Sequence, residues 1–449
     1  MTNLALFRVQ KSVQLDVLAK ETGLALMIQA SGLSLTYLLQ IFLAQWMGRT
    51  EYGVYEFVMS CSLLLAIPAG LGLPHTVLRL IPEYRVKQDW QRLHGVIRGS
   101  WLLTVLASLG LASIAIAGIV SINNFHPFVY ATPLLFGMGL VLLQALVSLQ
   151  QETARAMEDI PLAFVPSQIL FPLLVLGSGF LLLQKNEGLT SLPMIGIATF
   201  IFLVIVGFQL GLLWQKLKHE FVVVDRPVYA YREWLGIAFV LLIQQASSGI
   251  LNQTDTVMIG SLIGPESAGV YNAAVKTSLW TSFVLQIVNM VAAPMFSTLY
   301  TQGDIAGLQK VVSRVTLWIF YPTIAIAFCL MTFTQPILGL FGSGFIAANW
   351  SLKVLVVGQL VNALCGSVGY LMIMTGHQNH SFRVIVCSAL LNVVLNAILI
   401  PFFGIVGAAI ATSLSMIVWN VWLSILVVKY IGVRPSILYS LFERDSQGD

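Results

Sequence analysis

Apolar runs about as long as a bilayer is thick recur along this whole chain, and no other feature narrows its folding options as far. Trp101–Val120 and Val384–Ile400 are two of them. A helix needs about 20 mainly apolar residues to cross roughly 30 Å of hydrocarbon. Only helices and closed barrels satisfy their backbone hydrogen bonds there. Of 449 residues, 57% are hydrophobic and 9% charged, against about 25% charged in soluble domains. The chain reads as an all-α polytopic membrane protein.

Polar breaks divide it into about twelve transmembrane helices. Their expected limits are 23–46, 54–78, 99–121, 130–150, 161–184, 190–214, 235–263, 268–299, 311–334, 352–375, 383–402 and 405–428. Nineteen of the 23 Lys and Arg fall in the segments on the N-terminal side; only Arg49, Lys185, Lys276 and Lys353 fall elsewhere. Positive residues mark the cytoplasmic side, so both termini are expected there. The net charge of +4 is thus a topology signal that also faces anionic lipid headgroups, and no nucleic-acid partner is implied. The first apolar run has no small-residue cleavage site after it and reads as the first span, not a removable signal. Cys61, Cys329, Cys365 and Cys387 lie in apolar runs without a C-x-x-C pair and read as buried small hydrophobes. His377 and His380 read as a solvated loop, so no metal site is expected.

Two octets nearly rhyme: GRTEYGVY (Gly48–Tyr55) and GPESAGVY (Gly264–Tyr271), 216 residues apart. The same offset pairs Gln29 with Gln245 and Thr36 with Asn252. At an offset of 215, DWQRLHGVI (Asp89–Ile97) falls on DIAGLQKVV (Asp304–Val312). An internal repeat of this kind predicts two parallel six-helix lobes around a central cleft, with 1–214 and 235–449 as the lobes and 215–234 as a cytoplasmic linker. Parallel repeats are a transporter architecture, with the substrate site between them. The octets are then the extracytoplasmic tips of the first hairpin in each lobe, with Tyr55 and Tyr271 as interfacial anchors.

N-x2-D in span seven, then G-x4-G-V-Y and a basic residue, are carried by Asn252, Asp255, Gly260, Gly264, Gly269, Tyr271, Ala274 and Lys276. GLGLPHTVLRLIPEY (Gly70–Tyr84) and FGIVGAAIATSLS (Phe403–Ser415) extend the likeness. In these motifs and in its twelve-span layout the chain resembles the polysaccharide flippases, the O-antigen or repeat-unit translocases of the multidrug/oligosaccharidyl-lipid/polysaccharide exporter superfamily.

Charged and polar groups at bilayer depth default to functional hypotheses. Gln245, Ser248, Asn252 and Asp255 in span seven share one helical stripe, as do Gln29, Gly32, Thr36 and Gln40 in span one. Two stripes in register suit the walls of a hydrated cleft; interhelical hydrogen bonding is the alternative. Asp255 and Lys276 stand equally far from the hairpin centre and so at similar depth, roughly 10–15 Å below the surface. Within the spans these read as the one acid and the one clear base. Paired, they are either a switch, in which Asp255 takes a proton or Na⁺ and frees Lys276 for an anionic substrate, or a static brace.

The resemblance implies more. Family members have a cation site built partly from spans seven and eleven, which makes Asn252, Asp255, Asn392 and Asn396 ion-coupling candidates. Span eleven carries asparagines and no carboxylate, which favours a proton on Asp255 over tight Na⁺ binding. The implied substrate is an oligosaccharide on undecaprenyl diphosphate, with polysaccharide polymerase machinery as a further partner and no cofactor. A diphosphate needs fixed cations on its path, and the candidates are Arg79, Lys276, Lys353 and Arg155.

The competing transporter is a drug or organic-cation antiporter of the same superfamily. An enzyme is not expected: the longest outer loop, 335–351, holds no charged residue, and no nucleophile set, carboxylate pair or phosphate loop appears. The major-facilitator loop signature after span two is absent, as are the two extra helices of peptidoglycan-precursor flippases. The sequence therefore predicts a non-enzymatic, ion-coupled flippase of lipid-linked oligosaccharide, in a bacterial cytoplasmic membrane.

Overall fold

The structure is a computed structural model that describes residues 2–184, 189–220 and 227–437. Among them there are helices and connections but no strand. Ten helices are long and apolar enough to cross a membrane. Two of these, Thr2–Ala69 and Gln378–Ile431, fold back at Gly48 and Gly404, so twelve segments span. Span two follows Gly48 and is prolonged by Leu73–Val86 beyond a break at Gly70–Gly72. Trp90–Phe125 is span three and Ala131–Ala156 span four. Span five covers Ile160–Leu183 through a π-helical turn at Pro166–Leu170, and Ser191–Glu220 is span six. Tyr231–Leu262, Pro265–Thr301 and Ile305–Thr332 are spans seven to nine. Ser343–Cys365 is span ten, and the halves of Gln378–Ile431 are eleven and twelve.

The expected linker 215–234 is shorter than the sequence suggests. Span six runs on to Glu220 and span seven begins at Tyr231, while 221–226 lie outside the described residues. The outward faces are what lipid requires. Leu106, Ile114, Phe200, Phe328 and Phe402 are all exposed, which water would penalise and hydrocarbon does not.

Both repeats are built alike at two places. Gly48 and Gly264, mates at offset 216, share a left-handed φ with ψ near extended (73°/175° and 133°/174°). A side chain at that φ is strained, so glycine turns the chain there. At offset 215, Gln88 and Gly303 both have positive φ, and the next residue caps span three or nine. Asp89 Oδ1 accepts from the Arg92 N–H at 3.1 Å, and Asp304 Oδ1 from the Gly307 N–H at 2.7 Å.

Packing is distributed unequally across the membrane. On the half that holds the octets, a single apolar core crosses both lobes, from Leu39, Tyr52 and Phe57 to Tyr271, Leu352 and Ala408. On the half that holds the basic loops there are two cores. One joins Leu73, Leu93, Leu149, Phe164 and Leu213 to Trp234 and Ala238 at the start of span seven. The other joins Phe296, Leu308, Leu371 and Leu423. The two lobes are thus fused at the octet face and separate at the basic face, where span seven and the residues just before it, among those described, pack on the N-terminal lobe: the Val228 N–H donates to the Gln91 carbonyl at 3.1 Å.

Candidate functional site

The octets pack on each other. A methyl group on Gly53 would overlap the carbonyl of Pro265, and one on Gly269 would sit 2.6 Å from the carbonyl oxygen of Arg49. Position 265 is the mate of 49, and 269 the mate of 53, so the contact is reciprocal about a two-fold axis between the lobes. Arg49 pairs with Glu266 across the seam at 2.7 Å, and Gln45 Nε2 donates to the Leu340 carbonyl at 2.6 Å. Phe57 lies over Gly260, whose carbonyl accepts from Tyr130 Oη at 2.9 Å. These contacts close the cleft at the octet face.

Just below lies a polar cluster shared between lobes. Tyr52 Oη donates to Gln40 Oε1 at 2.6 Å. Lys276 Nζ stands 3.9 Å from Glu56 Oε2, whose carboxylate is also hydrogen-bonded by the Gln40 and Asn272 side chains. Tyr37 Oη and Thr277 Oγ1 are 3.1 Å apart, and Ser60 Oγ donates to Gln253 Oε1 at 3.0 Å. Each of these groups except Gln40 bonds across the seam; Tyr52 Oη also donates to Asn272 Oδ1 at 3.5 Å.

A second polar cluster lies wholly in the C-terminal lobe. Asp255, 5% exposed, accepts from Tyr271 Oη at 2.7 Å, from Asn396 Nδ2 at 2.9 Å and from Thr412 Oγ1. Asn396 Nδ2 also donates to Asn392 Oδ1 at 3.1 Å, and Asn392 Nδ2 to Thr412 Oγ1 at 3.3 Å. Spans seven, eight, eleven and twelve each contribute. Asn396 Oδ1 is buried without a partner, so an acceptor stands open beside the carboxylate. Oxygen donors of this kind suit a proton or a hard monovalent cation.

The expected Asp255–Lys276 pair does not form. Depth matches, but direction does not: Tyr271 faces Asp255, and Lys276 lies five residues further, turned about 140° around span eight. It meets Glu56 instead, a second intramembrane acid that the sequence count of acids omitted. Asn252 is also apart from the Asp255 cluster; it is exposed, and its amide donates to the Ser248 carbonyl one turn back. Tyr55 and Tyr271 are core residues, fully buried, rather than interfacial anchors.

The stripes divide in the same way. Gln29, Thr36 and Ser248 are half-buried, whereas Gln40 belongs to the closed seam. Gly32 packs on Gln168 of span five, inside its own lobe. Gln245 lines a cavity of about 40 Å³ with Gln144, Ser148 and Gly70, at the break that ends span two. Arg79 is exposed on Leu73–Val86. Arg155 Nη1 donates to both oxygens of Glu152 (2.9 and 2.8 Å) and lies over Phe164. Lys353 lies over the exposed Trp350 ring at 5.0 Å, on the outer surface. Of the four cation candidates, Lys276 alone stands in the seam.

A family model described as "Polysaccharide biosynthesis protein" matches residues 18–300, and one described as "MatE" matches 237–398. A protein of Haloferax volcanii named "Probable low-salt glycan biosynthesis flippase Agl15" is 24% identical over 396 residues, 86% of this chain and 78% of that one. Among solved structures, an inward-facing multidrug resistance MATE family transporter of the MOP superfamily superposes with a TM-score of 0.74 at 13% identity. It covers 90% of this chain and 94% of its own. The lipid II flippase MurJ superposes with a TM-score of 0.69 at 16% identity, covering 93% and 91%. These two likenesses establish the fold.

Proposed function

The chain belongs to the family of polysaccharide biosynthesis proteins, and from that membership we propose that it flips a lipid-linked oligosaccharide across the cytoplasmic membrane. The observation that carries the reading is the core arrangement: one core at the octet face and two at the basic face. A cleft closed at one face and split at the other is one end state of alternating access. With the basic loops in the cytoplasm, this state receives substrate from inside. The glycan flippase among the relatives supports the substrate class. That relative is archaeal, so the carrier is best specified as a polyprenyl phosphate or diphosphate, with undecaprenyl diphosphate as the bacterial form. No bond-making step is assigned, because the work is transfer of a polar headgroup past hydrocarbon that would otherwise reject it.

Asp255 is the proposed coupling group. Three donors hold its carboxylate, and the open Asn396 Oδ1 beside it completes a place for a proton or Na⁺. Reconstituted protein is expected to flip labelled undecaprenyl-diphosphate oligosaccharide at a rate that depends on an imposed pH or Na⁺ gradient. Asp255→Asn is expected to abolish the gradient dependence while leaving lipid binding intact. If the wild type ignores the lipid and exchanges an organic cation for protons, the reading fails. The MatE match over 237–398 and the shared fold favour that antiporter as the second reading.

A further inference from the structure

The polar cluster in the seam is asymmetric where its surroundings are symmetric. Gly48 and Gly264 turn alike, and Gly53 and Gly269 pack reciprocally. Yet offset 216 places Glu56 opposite Asn272 and Lys276 opposite Ser60. One side of the axis thus carries an ion pair between the lobes. The equivalent residues on the other side, Asn272 and Ser60, are neutral and bond elsewhere: Ser60 Oγ donates to Gln253 Oε1 at 3.0 Å and Asn272 Nδ2 to Thr256 Oγ1 at 3.4 Å. A repeat that kept its turns and its glycine contact has placed one acid and one base across its axis.

The two charges are not equally committed. Glu56 is enclosed, with 4% of its side chain exposed, and amides from both lobes hold it. Lys276 keeps 26% of its side chain exposed, and the 3.9 Å separation is loose for an ion pair. Arg49, Glu266 and the two glycines close the seam above it, which leaves the cleft side as the approach to Lys276 that the proposal takes. A partly buried base with a loose partner gains more from a doubly charged group than from one carboxylate at 3.9 Å.

We propose that Glu56 is the displaceable counter-ion of Lys276, and that an acidic headgroup arriving from the cleft takes Lys276 from it and thereby releases the octet-face seam. The proposal rests on the flippase reading for the identity of that headgroup, a phosphate or diphosphate on an isoprenoid. Binding and opening become coupled: the contact that recognises the anion is one of those that hold the lobes together, beside the Arg49–Glu266 pair and the reciprocal glycine contact. An uncharged lipid would leave the seam closed, which prevents idle cycling. Glu56 would then set specificity for charge, as a competitor that only a stronger anion displaces.

Spin labels on cysteines at Thr50 and Ser261, both exposed near the octet face on opposite lobes, would read the seam as a distance. The four native cysteines would be replaced, and the protein held in lipid nanodiscs. Undecaprenyl diphosphate is expected to lengthen the distance in the wild type, and undecaprenol to leave it unchanged. Glu56→Gln is expected to populate the longer distance without ligand and to bind undecaprenyl diphosphate several-fold more tightly. Glu56→Gln with Lys276→Met should open without ligand and ignore the diphosphate, and melting temperatures would verify that both variants fold. A Glu56→Gln protein with the wild-type distance and affinity would overturn the proposal. If Glu56→Gln opens while neither protein responds to the diphosphate, displacement by that headgroup is overturned together with the lipid-diphosphate reading beneath it, and only a latch remains.

Discussion

Gly53 and Gly269 each sit where a single methyl group has no room, because the carbonyl of the opposite octet occupies it. Gly53→Ala and Gly269→Ala are therefore expected to weaken the closed seam by about 1–3 kcal/mol each, the usual range for overpacking. The label pair at Thr50 and Ser261 should show both as a longer mean distance, with Gly53→Ala the larger effect, since its methyl would overlap the opposite carbonyl oxygen, against a separation of 2.6 Å for Gly269→Ala. Tyr130→Phe removes only the bond to the Gly260 carbonyl and should cost about 1 kcal/mol of thermal stability in detergent. At this scale the sequence was partly legible. It located Asp255, and the family resemblance grouped it with Asn252, Asn392 and Asn396; the structure links the last two to it through hydrogen bonds and leaves Asn252 apart. It did not find Thr412 or the hydroxyl of Tyr271, because hydroxyls in apolar runs look like filler until a charge is seen beside them. It mispaired Lys276 because counting residues from a turn gives depth along a helix but not the direction a side chain takes around it. Glu56 was overlooked although its place one residue past the octet, as the mate of Asn272, marked it.

Whole elements were easier to read, since hydrophobicity over a span outweighs any single residue. Twelve segments were expected and twelve are found, although span ten runs over Ser343–Cys365 rather than 352–375, and several breaks fall at glycines and aspartates for physical reasons. Asp89 and Asp304 are N-caps that follow a residue in the left-handed conformation, which explains why that stretch repeats at offset 215. Asp89→Ala and Asp304→Ala should each lower unfolding stability by about 1 kcal/mol, and by similar amounts, since the caps are copies. Less legible were the break at Gly70–Gly72 and the π-helical turn at Pro166–Leu170. Neither disturbs the hydropathy of its span. At the break the backbone of span seven at Ala238 lies against Gly72, a contact that no local pattern announces.

For the molecule as a whole, the split between one shared core and two separate ones makes a prediction about water. Asn252, exposed on span seven, replaced by cysteine in a cysteine-free background, should react with a membrane-impermeant thiol reagent added from the basic face and resist it from the octet face. Equal reaction from both faces would contradict a closed seam. The two-lobed plan was legible because a duplication leaves its period in the sequence. Which face was shut was not, since closure depends on contacts between residues some 216 positions apart. The reciprocal glycine contact carries one further consequence. It is the contact that two identical six-helix chains make in an isologous dimer, where every residue on the axis faces its own copy. Such a dimer can place glycine on glycine, but never a carboxylate at one position and an amide at its equivalent. Joining the halves in one chain lifts that restriction, and Glu56 opposite Asn272 is a difference that no dimer of identical halves can hold.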